Sequence, residues 1–359
     1  MAWCISEKIV CICKAHGIGA VLPGYGFLSE NAEFAKMLSD HGIVFAGPSP
    51  KSIMEFGLKH RARELARVAG VPLVPGTGII TSQQEAASEA QRIGYPVSIP
   101  DPACSEHGTD PHVQVMVKAT AGGGGMGLVV CHGPEKLAEA VTSVRSRGKT
   151  LFKDDGLFLE RYVGNARHIE GQIFGNGQGH VLWFGERECS IQRRHQKVVE
   201  EAPSSYVERR PELREKLRLA STALAASSSY KSAGTIEYLV DDTTGEFFFL
   251  EMNTRLQVEH GVTEAYYNTD LVRLMLLQAQ AEVEGKPGLS AEEMQQQTPE
   301  GPKGHAIEVR VYAENPAADY MPAPGLFMEV SFPKNARTRV DTWLERGSVV
   351  TPYFGERPD

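Results

Sequence analysis

Residues 233–253 read AGTIEYLVDDTTGEFFFLEMN, two strand-like runs around the turn-forming cluster Asp241-Asp-Thr-Thr-Gly245. β-Branched and aromatic residues crowd both flanks, 233–240 and 246–252, so the stretch reads as a β-hairpin. Glu237 and Glu251 stand equally far from Thr244, the middle of the turn, which sets them opposite one another on one face. Directly opposed like charges destabilise a sheet. A hard cation between them removes the conflict, and Asn253, two residues on, lies on the same face as a further oxygen ligand. The competing reading is a register shifted by one residue, with both glutamates solvated. Phe247, Phe248 and Phe249 point to a buried hairpin and so favour the metal site.

Upstream, helix and strand alternate. Ile5, Ile9 and Ile12 recur at helical spacing before Gly17, and a short strand follows at 20–22. A second helix, through Phe34, Met37 and Leu38, stops at Gly42, and a second strand lies at 43–45. This alternation predicts a parallel, doubly wound α/β unit. It opens on a helix and has only two strands, so its start reads as cut off. A single helix is expected over 51–69. Ser82-Gln-Gln-Glu85 is a capping box opening a helix that Gly94 ends, and Pro134 opens another over 135–144. The stretch 168–185 alternates as strands. The polar residues 281–304 read as a surface linker, with strands beyond at 305–313 and 327–332.

The chain has 359 residues, 42% hydrophobic and 23% charged, with a net charge of −8. That is long enough for two or three subdomains. The acidic balance argues against nucleic-acid binding by bulk electrostatics. No apolar run approaches a membrane span, and residues 1–10 lack the pattern of a secretory signal. The six cysteines are sparse and show no CxxC spacing, which suits reduced thiols in the cytoplasm.

Two further motifs carry chemistry. Thr120-Ala-Gly-Gly-Gly-Gly-Met-Gly127 follows a strand that ends in Lys118. Consecutive glycines let backbone N–H groups approach an anion, although the spacing is that of neither a P-loop nor a dinucleotide fingerprint, and a flexible surface loop is the alternative. Gln192-Arg-Arg-His-Gln-Lys197 packs four potential cations into six residues. Such a run is either a solvated face or an anion site that Arg255 joins. Taken with the hairpin, these features make phosphoryl transfer from a nucleotide the economical reading.

Five blocks resemble biotin carboxylase, an ATP-grasp enzyme: PGYGFLSENAEFA (23–35), KATAGGGGMG (118–127), RHIEGQIFG (167–175), ERECSIQRRHQKVVEEAP (186–203) and EMNTRLQVEHGVTE (251–264). GLFLERYVGNARHI (156–169) and RVDTWLERGSVVTPYF (339–354) are most similar to the urea carboxylase and urea amidolyase branch; acyl-CoA and pyruvate carboxylases share the main motifs. The resemblance implies that ATP phosphorylates bicarbonate to carboxyphosphate, which then carboxylates N1 of biotin on a carrier domain. It assigns Lys59 and Lys118 to the ATP phosphates, with the glycines Gly122, Gly123, Gly124 and Gly125. Glu160 and the backbone at Tyr162 match the adenine hinge, His168 and Gln192 the ribose side, and His195 a position near the phosphates. Glu237, Glu251 and Asn253 match ligands of Mg2+, which Mn2+ can replace. Lys197, Arg255, Gln257, Val258 and Glu259 match the bicarbonate pocket, with Glu259 as general base and Arg255 steadying negative charge. Arg339 matches the arginine that stabilises the biotin enolate, and Tyr25 lies in a biotin-side motif.

The implied fold is an α/β and α+β ATP-grasp enzyme. A truncated Rossmann-like N-terminal subdomain covers 1–48, and the ATP-grasp domain 49–285 has its lid near 72–161. A linker at 286–304 leads to a partial C-terminal subdomain at 305–359. Both ends read as truncated. Removing 98–115 joins YPV to MVKATAGGGG as the family has it, so that segment reads as an insertion, through a retained intron or a gene-model error. Cys104, His107, Asp110 and His112 within it match no zinc spacing. Val113 to Lys118 alternates well enough to rebuild the strand start. Gly261 stands where the family usually has proline, and Gly171 replaces a branched residue in a strand at about 1 kcal/mol. Expected partners are bicarbonate, biotin carrier and carboxyltransferase domains, and a second copy of the chain, with neither nucleic acid nor membrane. The rival to an active ligase is a catalytically inactive ATP-binding fragment.

Overall fold

The computed structural model describes residues 2–93, 114–120, 127–131, 136–152, 154–194, 196–297, 301–333, 335 and 337–351. The chain divides into two compact units, Met1–Glu308 and Val309–Asp359.

The first unit opens with helix α1 (Ala2–Ala15). Its buried face is Ser6, Val10 and Cys13, whereas Ile5 and Ile12 of the expected face are exposed. Two stripes share the same spacing, and the stripe with Val10 and Cys13 meets Phe34, Leu38, Ile43 and Phe45 in one cluster. Strands β1 (Ala20–Val21) and β2 (Val44–Phe45) pair in parallel, as the alternation implies, across helix α2 (Ala32–Asp40). The helix expected over 51–69 is two, α3 (Pro50–Gly57) and α4 (Lys59–Val68), because Leu58 between them is extended (φ −97°, ψ 107°). The break follows Gly57, a poor helix former, and puts Lys59 in the first turn of α4.

A small antiparallel sheet follows. Its order is β4 (Leu128–Cys131), β3 (Gln114–Ala119), β5 (Leu157–Tyr162). Val115, Val117 and Ala119 are buried in alternation, as expected of the rebuilt strand, while residues 98–113 of the insertion lie outside the described residues. Helices α5 (Gln83–Arg92) and α6 (Leu137–Phe152) cover this sheet through Ala86, Ala90, Val141 and Val144. Helix α6 runs past the expected end at Val144. Ser82 caps α5 by accepting from Glu85 N at 3.1 Å. The reciprocal half of the expected box is made one residue earlier, since Glu85 Oε2 accepts from Thr81 N at 2.8 Å.

The larger sheet has six strands in the order β10-β9-β6-β7-β8-β11. These are β6 (Ala166–Asn176), β7 (Val181–Arg193), β8 (Gln196–Ala202), β9 (Lys231–Asp241), β10 (Phe247–Asn253) and β11 (Ala306–Val309). The short α7 (Ser205–Glu208) leads into α8 (Pro211–Ser227). On one face Ile169, Ile173, Ile236 and Tyr238 pack against Leu213, Leu217 and Leu224 of α8. Gly171 belongs to this face. A Cβ there would lie 2.2 Å from the Trp183 ring and 2.9 Å from Ser221 Oγ. The glycine makes room for the indole, so the expected propensity cost does not describe its role.

On the other face α9 (His260–Tyr267), α10 (Leu271–Val283) and α11 (Ala291–Gln296) follow the hairpin. Residues 288–297 of the expected surface linker dock there. Leu289 and Met294 are buried with Phe174, Leu182 and Phe184, and Ser290 with Glu293 forms a full capping box on α11. Among the described residues of the second unit none is buried. Two short antiparallel pairs form it: β12 (Glu314–Asn315) with β13 (Met321–Pro322), and β14 (Gly325–Leu326) with β15 (Val349–Val350). The strand expected over 305–313 ends at Val309, and none forms at 327–332, where pairing with 348–350 stops after Phe327.

Candidate active site

Side chains alternate faces along a strand, so the face of β6 that carries Phe174 also carries Gln172, Glu170 and His168. The apolar core therefore grades into a polar row. Arg187 on β7 is in register with Glu170 on β6, Glu170 with Glu237 on β9, and Glu237 with Glu251 on β10. A second row, Gln172, Thr235 and Asn253, lies beside it. Next to the hairpin turn Phe247 pairs with Val240, one residue away from symmetry about Thr244. A bulge between Phe249 and Glu251 restores the symmetric register and opposes the glutamates. Both alternatives read from the sequence thus occur in the same hairpin, and the opposed pair is the one at the site.

Lys197 on β8 is the hub. Its Nζ donates to Glu170 Oε2 at 2.5 Å, to Glu237 Oε1 and Glu259 Oε1 at 2.8 Å each, and to Gln257 Oε1 at 3.3 Å. Burial works against its charge, but Glu170 and Glu237 outweigh burial and hold its pKa well above the usual lysine range. Beneath it the fully buried Arg187 donates to Glu170 Oε1 at 2.6 Å, to Gln172 Oε1 and Thr263 Oγ1 at 2.7 Å, and to Thr235 Oγ1 at 3.2 Å. Burial alone would raise the Glu170 pKa; Arg187 and Lys197 bring it down to about 2. His168 Nε2 lies 2.8 Å from Glu237 Oε2, and its Nδ1 lies 3.1 Å from Gln192 Nε2. Burial disfavours the imidazolium, yet Glu237 prevails and raises its pKa.

Glu237 also accepts from Asn253 Nδ2 at 2.7 Å. Glu251 behaves differently: its side chain reaches solvent, yet desolvation against the row, and then the Glu237 charge, raise its pKa. Lys59, His168 and Lys197 oppose that rise. Two carboxylates and a carboxamide supply an all-oxygen donor set that suits Mg2+ or Mn2+.

The segment leaving β10 turns back over the row. Thr254, Gln257, Glu259 and His260 are buried, whereas Val258 reaches solvent. His260 Nδ1 lies 2.8 Å from Gln257 O and 3.1 Å from Val258 O, bracing the turn that carries Glu259. Arg255 Nε donates to Glu30 Oε2 at 2.9 Å. From the 192–197 run Lys197 enters the cluster.

On the smaller sheet Lys118 and Arg63 both form ion pairs with buried Glu160. Lys59 faces the same region. Burial lowers its pKa, Glu251 opposes that effect, and Lys118 adds to it. A cavity of about 410 Å3 opens here, lined by Lys59, Arg63, Thr77, Thr120 and Phe158 among others. Tyr162 ends β5, and Tyr25 is exposed between β1 and α2. Arg339 lies in the second unit, 3.0 Å from Asp341. Gly122, Gly123, Gly124, Gly125 and His195 lie outside the described residues.

Four participants escaped the sequence reading: Glu170, Arg187, Glu30 and Arg63. Glu170 had a signal, since it follows His168 by two residues in a strand and must share its face. The others are identified only by partners far along the chain.

Comparison with known proteins agrees with this geometry. Residues 59–283 match the carbamoyl-phosphate synthase L chain ATP binding domain. Residues 2–53 match the biotin carboxylase N-terminal domain, and 308–356 the biotin carboxylase C-terminal domain. A putative urea carboxylase of Emericella nidulans is 53% identical over 98% of this chain, which spans 27% of that protein. A biotin carboxylase of Halalkalibacterium halodurans is 41% identical over 97% of this chain and 70% of its own length. Among solved structures, the biotin carboxylase domain dimer of Hydrogenobacter thermophilus 2-oxoglutarate carboxylase, in complex with MgADP, ADP and bicarbonate, superposes with a TM-score of 0.82. It is 37% identical, over 97% of this chain and 71% of that one. The fold is the ATP-grasp fold of these domains.

Proposed function

The chain belongs to the biotin carboxylase family, and from that premise we propose that it carboxylates biotin with ATP and bicarbonate, as the biotin carboxylase part of a urea-type carboxylase. The observation that carries this reading is Lys197, charged and held by Glu170, Glu237, Gln257 and Glu259 on one face of the sheet. This buried lysine–carboxylate cluster stands next to an all-oxygen cation site, the pairing of ion-paired floor and metal site that a small oxyanion beside a phosphate would need.

In this reading Lys59 and Lys118 take the ATP phosphates, with Glu160 and Tyr162 at the adenine and His168 and Gln192 at the ribose. Lys59 suits the role because burial disfavours its charged form, and a phosphate beside it would favour that form again. A divalent ion held by Glu237, Glu251 and Asn253 would neutralise charge on the transferring phosphoryl group. Glu259 takes the bicarbonate proton as its oxygen attacks the γ-phosphorus; ADP leaves and carboxyphosphate forms. Arg255 and Lys197 hold the anion through this step. The C–O bond of carboxyphosphate then breaks, inorganic phosphate leaves and takes up the N1 proton of biotin, and N1 bonds to the carboxyl carbon, with Tyr25 and Arg339 on the biotin side. The acceptor downstream is urea in this reading, supported by the higher identity to the urea carboxylase than to the stand-alone biotin carboxylase.

The same reading retains subdomains at 1–48, 49–285 and 305–359, and joins most of 286–304 to the ATP-grasp domain because α11 packs on its core. It includes a cytoplasmic location, a homodimer, and carrier and carboxyltransferase domains as partners. No helix among the described residues is long and apolar enough to cross a membrane. The test is ADP release by the purified chain with Mg2+, bicarbonate and free biotin. Bicarbonate-dependent turnover stimulated by biotin is expected. Folded protein that binds ATP without bicarbonate-dependent turnover would overturn the proposal.

A further inference from the structure

We infer that Glu30 is a positioning residue for Arg255, presenting the guanidinium as a two-pronged donor to a bicarbonate-like oxyanion; this rests on the function proposed above. Glu30 uses both oxygens on the segment after β10, more than two hundred residues away. Oε1 accepts from Thr254 N at 3.0 Å and from Thr254 Oγ1 at 3.3 Å, and Oε2 accepts from Arg255 Nε at 2.9 Å. Glu30 is itself held from both sides. Ser29 Oγ donates to Gly26 O at 2.6 Å, and Asn31 caps α2 by accepting from Phe34 N at 2.8 Å.

A guanidinium has five N–H groups. Glu30 takes the one on Nε, Asn253 Oδ1 accepts from Nη2 at 3.3 Å, and Leu256 O accepts from Nη1 at 3.4 Å. Among the described residues, one N–H on each terminal nitrogen remains. That pair is the set with which arginine grips a carboxylate or carbonate-type anion in two parallel bonds. By occupying the Nε edge, Glu30 denies an anion the alternative side-on grip through Nε, so a ligand meets the fork end-on. The pair is partly exposed, with side chains 24% and 41% accessible, and contributes little to stability as an ion pair. Its effect is on where Arg255 points.

The test compares Glu30→Gln with the unaltered chain in bicarbonate-dependent ATP hydrolysis. Glutamine keeps the size and an acceptor for Thr254 N but removes the charge that fixes Nε. The expected result is a KM for bicarbonate raised about tenfold, a KM for ATP within about twofold, and an unchanged melting temperature. Glu30→Asp, which keeps the charge one methylene short, recovers part of the loss. Turnover by the unaltered chain together with an E30Q variant whose bicarbonate KM is unmoved, or whose two KM values rise in parallel, would overturn the inference alone. An unaltered chain without bicarbonate-dependent turnover would remove the proposed function and this inference with it.

Discussion

Replacing Arg187 by methionine isolates the charge row from its deepest member. The side chain is fully buried, donates four hydrogen bonds, and faces Glu170 at 2.6 Å. Holding the Glu170 carboxyl at about 2, against 4.5 for a free one, corresponds to about 3 kcal/mol of stability near neutral pH, shared between Arg187 and Lys197. Breaking a buried ion pair costs about 3–5 kcal/mol, because the remaining charge is left uncompensated. The share of Arg187 in the first figure is smaller than this cost, the difference being the penalty for leaving Glu170 buried without its partner. At roughly 2 °C per kcal/mol for a unit of this size, Arg187→Met should lower the melting temperature by roughly 6–10 °C at pH 7. The sign of the pH dependence also follows. A depressed carboxylate contributes stability above its unfolded pKa and loses it as pH falls toward the folded value. The deficit of the variant should therefore shrink between about pH 4.5 and 2, the window in which the unaltered protein loses the same contribution. Differential scanning fluorimetry across about pH 2–8 measures both. A deficit below about 2 °C at pH 7, or one independent of pH, would refute the claim that Arg187 is the principal counter-charge of Glu170.

Two further outcomes are expected. Gly171→Val restores the branched residue the strand pattern calls for, and it should destabilise by about 2–4 kcal/mol because the new Cβ meets the Trp183 ring at 2.2 Å; a stabilised variant in urea titration would show the indole is not locked there. Mg2+ binding to the nucleotide-loaded protein should weaken as pH falls through the raised pKa of Glu251 and release protons, since the ligand must ionise to bind; Glu251→Gln should abolish this proton release in calorimetry run in buffers of different ionisation enthalpy.

Much of the site was legible because strand alternation and hairpin symmetry are local rules. The opposed glutamates and Asn253 needed only the positions of a turn and a two-residue period. The resemblance singled out Lys197, Gln257 and Glu259 as one group, and the three do meet. The failures have physical causes too. Helix α1 carries two apolar stripes, and nothing within the helix tells which one a partner will cover. The 286–304 stretch is polar overall, yet Leu289 and Met294 are buried in the core and Ser290 with Glu293 caps α11.

Sequence by itself determined the family, the charged hairpin and the identity of most groups gathered at the candidate site, because these rest on motifs and on short-range geometry. Tertiary structure alone decided how those charges are balanced. Arg187 under Glu170, Arg63 on Glu160 and Glu30 on Arg255 each join residues from separate elements. Whether a buried charge is stable depends on a partner brought by the fold, at a distance along the chain that no periodicity encodes.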